Sequence, residues 1–195
     1  RDRGGAIALF NTRIADQLRS LRQHALPLSA WSRYIHPKNL LLSPKIKELG
    51  FKANFCDLQA ALGRVQLKKL RKMNFQRHKI AMQYLDGLKR ISDKLTPQKA
   101  LNHTYHSKHL FPVLCRPKCE INRNKLIIEL RKNGIGATIH YALLHTMPLY
   151  KKYSKANLPI TEKVGREILT LPISAALTFK QVNYVCATIN RLIKK

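Results

Sequence analysis

The chain has 195 residues, 45% of them hydrophobic, and its 37 Lys and Arg against 10 Asp and Glu give a formal net charge of +27. That length supports one sizeable core, or one and a half domains, and the apolar content is ordinary for a globular chain. No stretch has the apolar length of a membrane-spanning helix, and Ala6 to Phe10 is too short and too poorly flanked for a signal-peptide core, so a cytoplasmic chain with no membrane partner is expected.

Gly4 and Gly5 precede a strand-like run, Ala6 to Phe10. The run follows Arg1 almost at once and has no neighbour in sequence that reads as a hairpin partner. It reads as the continuation of a sheet whose other strands lie upstream, and hence as part of a longer protein. Asn11 or Thr12 can cap a helix running to about Arg22, with Ile14, Leu18 and Leu21 on one face. His24 to Pro44 is a loop broken by Pro27, Pro37 and Pro44, anchored by Trp31 and Tyr34; its length favours a functional or interface role. A short helix, Pro44 to Leu49, leads into a turn opened by Gly50.

Asp57 then opens a long helical region reaching about Arg90, read as two helices with a break near Lys72 to Asn74. Its first part carries Leu58, Leu62 and Val65 at helical spacing; its second carries Ile80, Tyr84, Leu85 and Leu88. Asp57 is the expected cap of the first turn. Leu95 to Asn102 reads as linker. From there the pattern changes: His109 to Cys115 is an apolar strand, Asn122 to Lys132 an amphipathic helix closed by Asn133-Gly134, and Ile135 to Tyr141 a second strand. Glu162 to Leu169 is helical, Leu171 to Ile173 extended, and Thr178 caps a last helix, Lys180 to Ile193, with Val182, Val185, Ile189 and Leu192 inward. A β-α-β-α-α unit of this kind makes a small two-layer domain.

The cysteines are Cys56, Cys115, Cys119 and Cys186. Only Cys115 and Cys119 are close, and no second ligand pair follows at zinc spacing. His103, His106 and His109 lie just upstream at a period of three, but Pro112 argues for a strand or loop there. No metal site is expected, and reduced, unpaired thiols are the reading. The high charge invites a nucleic-acid partner, yet Lys and Arg are spread along the whole chain. Arg64, Lys68, Lys69, Arg71 and Lys72 surround Val65, Leu67 and Leu70, which is the pattern of a solvated helix face. With no helix-turn-helix glycine turn and no aromatic RNA-binding signature, no specific nucleic-acid binding is expected, only salt-sensitive adsorption.

The run Gly50-Phe51-Lys52-Ala53-Asn54-Phe55-Cys56-Asp57-Leu58-Gln59-Ala60-Ala61-Leu62-Gly63 places a cation and an amide beside a helix start, a plausible anion-binding corner. It resembles the G-x-N-Y-R-M-x-D-x-Q-A-A-L-G segment of the DegT/DnrJ/StrS family of pyridoxal-phosphate-dependent sugar aminotransferases. The likeness continues in order along the chain. Gly4-Gly5-Ala6 and Leu21 to His24 are similar to T-G-E-G-G-A and L-R-x-H-G, and Gln66 to Leu70 to Q-L-K-x-L. His106 to Val113 resembles H-x-Y-H-L-F-P-V; Gly134 to Tyr150 resembles G-I-G-x-x-x-H-Y-x-P-L-H-x-x-P-x-Y. Glu162 with Ile168 to Pro172, and Leu177-Thr178 with Gln181-Val182, resemble the family's closing motifs.

The resemblance implies an α/β protein of the pyridoxal-phosphate transferase fold type I, and within it the C-terminal portion. Residues 1–56 would end the large cofactor domain and its interface loop, 57–102 would be interface and linker helices, and 103–195 the small α+β domain. It implies pyridoxal 5′-phosphate as cofactor, a nucleotide-linked keto-sugar as substrate, glutamate or glutamine as amino donor, and a homodimer when full length. Transamination needs a Schiff-base lysine and a carboxylate on the pyridine nitrogen. By the family's pattern both fall before Arg1, so no catalytic residue is assigned and this chain alone is expected to be inactive.

Lys52 and Asn54 match the segment that reaches the cofactor phosphate of the neighbouring subunit, although the family often has Asn and Arg there. On the residues alone, a solvated lysine and a turn-forming asparagine remain the alternative. His140, Tyr141 and His145 match the border of the sugar-nucleotide pocket, with His106 a weaker candidate. Asp2-Arg3 replaces Gly-Glu, Leu143 replaces a proline, and Ala25 replaces a glycine after His24 where a left-handed turn is expected. These departures keep two other readings open: a degenerate, non-catalytic fragment, and a basic nucleic-acid-binding or regulatory protein.

Overall fold

The computed structural model describes residues 5–26, 35, 46–153 and 157–193. It divides into two compact units, Arg1–Lys68 and Lys69–Lys195. The loop expected from His24 to Pro44, with Trp31 and Tyr34, lies almost wholly outside the described residues.

The first unit holds helix α1 (Thr12–Leu21) and the start of α2 (Asp57–Gly87). Asn11 caps α1, its side chain accepting from the Ile14 backbone N–H at 3.1 Å, as the sequence predicts. Residues 6–10 form no ladder with any described residue, and Ile7 and Phe10 are exposed. The expected strand is therefore not assembled. Ile46 to Leu49, expected to end a short helix, is not helical.

α2 runs unbroken to Gly87, where two helices were expected. Lys72 to Asn74 contains neither Pro nor Gly, and the Asn74 side chain accepts from Arg77 one turn on, so nothing interrupts the backbone ladder. Asp57 is not the cap. Cys56 holds that position: its carbonyl accepts from Ala60 N at 2.9 Å, and Gln59 reaches back to the Cys56 N–H at 3.0 Å. This is the return half of a capping box, and it leaves the Asp57 carboxylate in the first turn, where the helix dipole favours it.

The second unit is built on a three-stranded antiparallel sheet in the order β1 (Leu95–Pro97), β2 (Phe111–Cys115), β3 (Ile168–Leu171). Leu95 pairs with Cys115, and Phe111 with Leu171. Phe111, Val113 and Cys115 alternate into the core. Against the sheet lie α3 (Arg123–Lys132), α5 (Pro159–Glu167), α6 (Phe179–Ile193) and the C-terminal turns of α2, while the single turn α4 (Pro148–Lys151) buries none of its residues. The core gathers Ile80, Tyr84, Leu88, Leu95, Val113, Leu126, Leu130, Leu169, Val182 and Ile189, with others. Tyr84 stacks on Phe111 and donates its hydroxyl to the Pro172 carbonyl at 2.8 Å.

Pro112 sits in the central strand, where a missing N–H is usually costly. It escapes that cost by register. Its partner Thr170 turns its own N–H and C=O away, toward Thr138, while the Pro112 carbonyl still accepts from Gln98 N.

The predicted Gly134 exit and Thr178 cap hold, and Asn122, read as the first helical residue, is instead the cap of α3. Asn122 accepts from Lys125 N, Gly134 leaves α3 at φ 71°, and Thr178 and Gln181 exchange side-chain and backbone bonds at the head of α6. Val182, Val185 and Ile189 are buried, as their spacing requires. Three boundaries differ. Leu95 to Pro97 is a strand rather than linker, because the fully buried Leu95 side chain and the β2 ladder fix it. Ile135 to Tyr141 is not a strand. The N–H groups of Ile135 and Ala137 are taken by Leu130 and Ile135 carbonyls, and only Thr138 bridges to β3. The helix expected from Glu162 to Leu169 begins at Pro159 and ends at Glu167, and Leu169 belongs to β3.

Burial, with Cys119 and then Glu167 adding to it, pushes the Cys115 thiol up to about 12; burial, helped by Asp86, pushes Cys186 up to about 11. Both thiols stay protonated in the folded chain while unfolded thiols ionise near 9.0. Between about pH 9 and 11 the native state therefore binds more protons, and stability falls as pH rises through that window. Maleimide labelling at pH 8 followed by mass spectrometry is expected to modify exposed Cys56 at once and Cys115 and Cys186 only on unfolding.

Candidate functional site

In the first unit, the turn after α1 and the segment 51–53 lie side by side. Phe51 N donates to the Leu21 carbonyl at 2.7 Å, His24 N to Phe51 O at 2.9 Å, and Ala53 N to Arg22 O at 2.9 Å. Lys52 is thereby held as the bridge partner of Gln23. The turn needs two left-handed residues in succession, His24 at φ 63° and Ala25 at φ 57°. The sequence pointed to Ala25 alone. A glycine costs nothing sterically in that region, whereas a residue with a Cβ pays about 1 kcal/mol or more. His24 is exposed, so His24→Gly is expected to stabilise the turn by about 0.5 to 1 kcal/mol in denaturant unfolding. Ala25→Gly is expected to be near neutral, because the methyl it removes is buried.

Lys52 and Asn54 are both exposed, and among the described residues neither has an ion-pair or hydrogen-bonded side-chain partner. A free ammonium on a backbone pinned by three hydrogen bonds, followed by an amide just before the α2 cap, fits the chemistry of a phosphate.

The other sequence candidates belong to the second unit. His140 and Tyr141 follow the Thr138 bridge, and their rings meet edge to face at 4.9 Å. Tyr141 is exposed; His140 is half-buried and its Nδ1 has no partner despite being out of contact with water. His145 lies in a single 3-10 turn, Leu144–Thr146, and its Nε2 stands 3.4 Å from Glu162 Oε1 on α5. His106 is committed locally: its Nδ1 accepts from Lys108 N at 3.0 Å, at a residue with φ 51°. The structure thus joins His140 to Tyr141, ties His145 to Glu162 and keeps His106 in its own turn. Glu162 stands in the closing motif, but its pairing with His145 was missed, because the two lie seventeen residues apart. Among the described residues no group of three His, Cys, Asp or Glu is placed to hold a metal ion, and no helix is long and apolar enough to cross a membrane.

Residues 2–190 match the model of the DegT/DnrJ/EryC1/StrS aminotransferase family. The chain belongs to that family. It is 33% identical over 196 residues to the uncharacterized protein MJ1066 of Methanocaldococcus jannaschii, covering 98% of this chain and 50% of that protein. Helicobacter pylori PseC, an aminotransferase involved in the biosynthesis of pseudoaminic acid, superposes with a TM-score of 0.80 at 23% identity, over 94% of this chain and 47% of its own. The putative sugar aminotransferase Spr1654 of Streptococcus pneumoniae, in its PMP-form, gives 0.82 at 23% identity, over 95% and 46%. The chain therefore spans about half the length of the relatives it matches, and its fold is that of the type I pyridoxal-phosphate transferases. Pyridoxal phosphate is the cofactor of this family.

Proposed function

We propose that this chain is the C-terminal part of a pyridoxal-phosphate-dependent aminotransferase that moves an amino group from glutamate or glutamine to a nucleotide-linked keto-sugar in glycan synthesis. In this reading residues 1–56 end the cofactor domain, 57–102 form the dimer-facing helices and 103–195 the small domain of a cytoplasmic homodimer. Lys52 and Asn54 reach the cofactor phosphate of the neighbouring subunit. His140, Tyr141 and His145, with His106 behind them, border the sugar-nucleotide pocket. No lysine of this chain is assigned to the Schiff base, and in this reading the chain alone is inactive.

One observation supports this reading above the others: the exposed Lys52 and Asn54 stand on a pinned corner in a chain that keeps the sugar-aminotransferase fold over nearly its whole length. The bound cofactor supplies an electron sink for the carbon that exchanges its nitrogen. These residues supply only grip: a positive charge and an amide donor for its phosphate, and imidazole and phenol groups for the sugar.

The test uses the protein encoded by the entire reading frame that carries this chain, incubated with pyridoxal phosphate. A visible cofactor absorbance band that survives gel filtration is expected. Lys52→Ala is expected to weaken cofactor binding about tenfold, the size of one charge-assisted hydrogen bond. A protein with no cofactor band after incubation overturns the proposal.

A further inference from the structure

A single 3-10 turn does not by itself fix a histidine ring, yet the His145 side chain is only 14% exposed. Two positions on α5 hold it. A Cβ at Gly165 would lie 2.4 Å from Leu143 Cδ2, so only glycine lets α5 seat directly on the residue that opens the turn. Three residues earlier, and so on the same helical face, Glu162 brings Oε1 to within 3.4 Å of His145 Nε2. The second carboxylate oxygen lies 3.7 Å from Arg166 Nη1, one turn further along α5. The turn is closed on its own side by Thr146, whose hydroxyl donates to the Leu143 carbonyl at 2.8 Å.

An ionised carboxylate only accepts hydrogen bonds. For the contact to be favourable, Nε2 must carry the proton. In the neutral ring this leaves Nδ1 with its lone pair, so His145 meets a ligand as an acceptor. We propose that Glu162 is a positioning residue that fixes His145 as the Nε2–H tautomer and so presents Nδ1 to a hydroxyl of the sugar ligand. The ligand half of this statement rests on His145 bordering the sugar pocket, as proposed above; the tautomer half does not. The partner chemistry is specific: a hydroxyl or another N–H or O–H donor is favoured at that position, and a carbonyl or phosphate oxygen is not.

Histidine-labelled 15N spectra of the chain separate the two tautomers directly. In the neutral ring, wild type is expected to show a protonated Nε2 and an unprotonated Nδ1 at His145. Glu162→Ala is expected to give a mixture with a substantial Nδ1–H share. Arg166→Ala is expected to keep the wild-type pattern, since it removes only the outer pairing. Backbone amide spectra confirm that both variants fold. A wild-type ring protonated on Nδ1 overturns the inference, as does an Nε2–H ring that survives Glu162→Ala or an Arg166→Ala variant that behaves like Glu162→Ala. In the cofactor-loaded protein, with uridine diphosphoglucose as probe, Glu162→Ala is expected to weaken binding about tenfold and Glu162→Gln, whose carboxamide oxygen still accepts, several-fold less. Equal losses in the two variants overturn it. A missing cofactor band would instead count against the proposed function, and the two failures are distinguishable.

Discussion

Gly50→Ala is expected to dismantle the Lys52 corner, with a loss of about 3 kcal/mol or more in the stability of the 50–53 pairing, the upper end of the range for overpacking. The reason is geometric. A Cβ at position 50 would fall 2.1 Å from the Ala25 nitrogen and 2.3 Å from the His24 carbonyl carbon. Both are backbone atoms of a turn that already holds two left-handed residues, and neither can move aside as a flexible side chain would. The bonds from His24 to Phe51 and from Ala53 to Arg22 must then lengthen or break. Native-state hydrogen exchange gives the readout: protection of the His24 and Ala53 amides should fall about a hundredfold, while core amides such as Leu126 stay protected. Unchanged protection at these amides would show that the close approach does not govern the corner. In the cofactor-loaded protein the same variant should weaken pyridoxal phosphate binding at least as much as Lys52→Ala, because it displaces the lysine together with its backbone.

Arg116→Ala is expected to cost about 3 kcal/mol in the second unit. Glu167 ends α5 with a side chain only 10% exposed, and Arg116 Nη1 lies 2.9 Å from its Oε2. The same guanidinium donates from Nε to the Thr96 hydroxyl, so one residue ties β1, the end of β2 and α5 together. Removing it strands a carboxylate in a poorly solvated place, which costs more than the pair itself contributes. The loss stays at the low end of the range for a broken buried pair because Arg116 is about one-third exposed and water screens its charge. Denaturant unfolding of Arg116→Ala, Glu167→Leu and the double variant Arg116→Met/Glu167→Leu separates these effects. The double variant should recover most of the stability lost by Arg116→Ala. A double variant as unstable as Arg116→Ala would show that the pair itself, not the stranded charge, carries the energy.

Part of the net charge of +27 is carried on α2. Arg64, Lys68, Lys69, Arg71 and Lys72 all lie on exposed turns of α2. The apolar positions beside them, Leu58, Leu62, Val65 and Leu67, are exposed as well, and no residue of α2 before Ile80 is buried.

Much of the architecture was legible in the sequence because its cause is local. Asn11 and Thr178 each bond a backbone N–H three residues away, and Gly134 ends α3 by a backbone conformation that needs no partner. The inward positions of α6 follow from a 3.6-residue period. The ordered motifs from Gly4 to Val182 likewise carried the family. The break expected near Lys72 to Asn74 is absent for a local reason too: the Asn74 side chain is engaged by Arg77 inside the helix.

What the amino-acid order determined alone is therefore the helices α1, α3 and α6, the caps at Asn11, Gly134 and Thr178 and the lineage of the chain, since each rests on contacts within a few residues or on motifs in sequence. The tertiary structure alone decided that Leu95 to Pro97 is a strand, that Thr138 closes a single bridge, that Glu167 answers Arg116 and that Glu162 holds His145. Those partners lie from seventeen to fifty-one residues apart in the hydrogen-bonded pairs. Only the folding of α5 and β3 against the rest of the unit supplies the proximity that makes them meet.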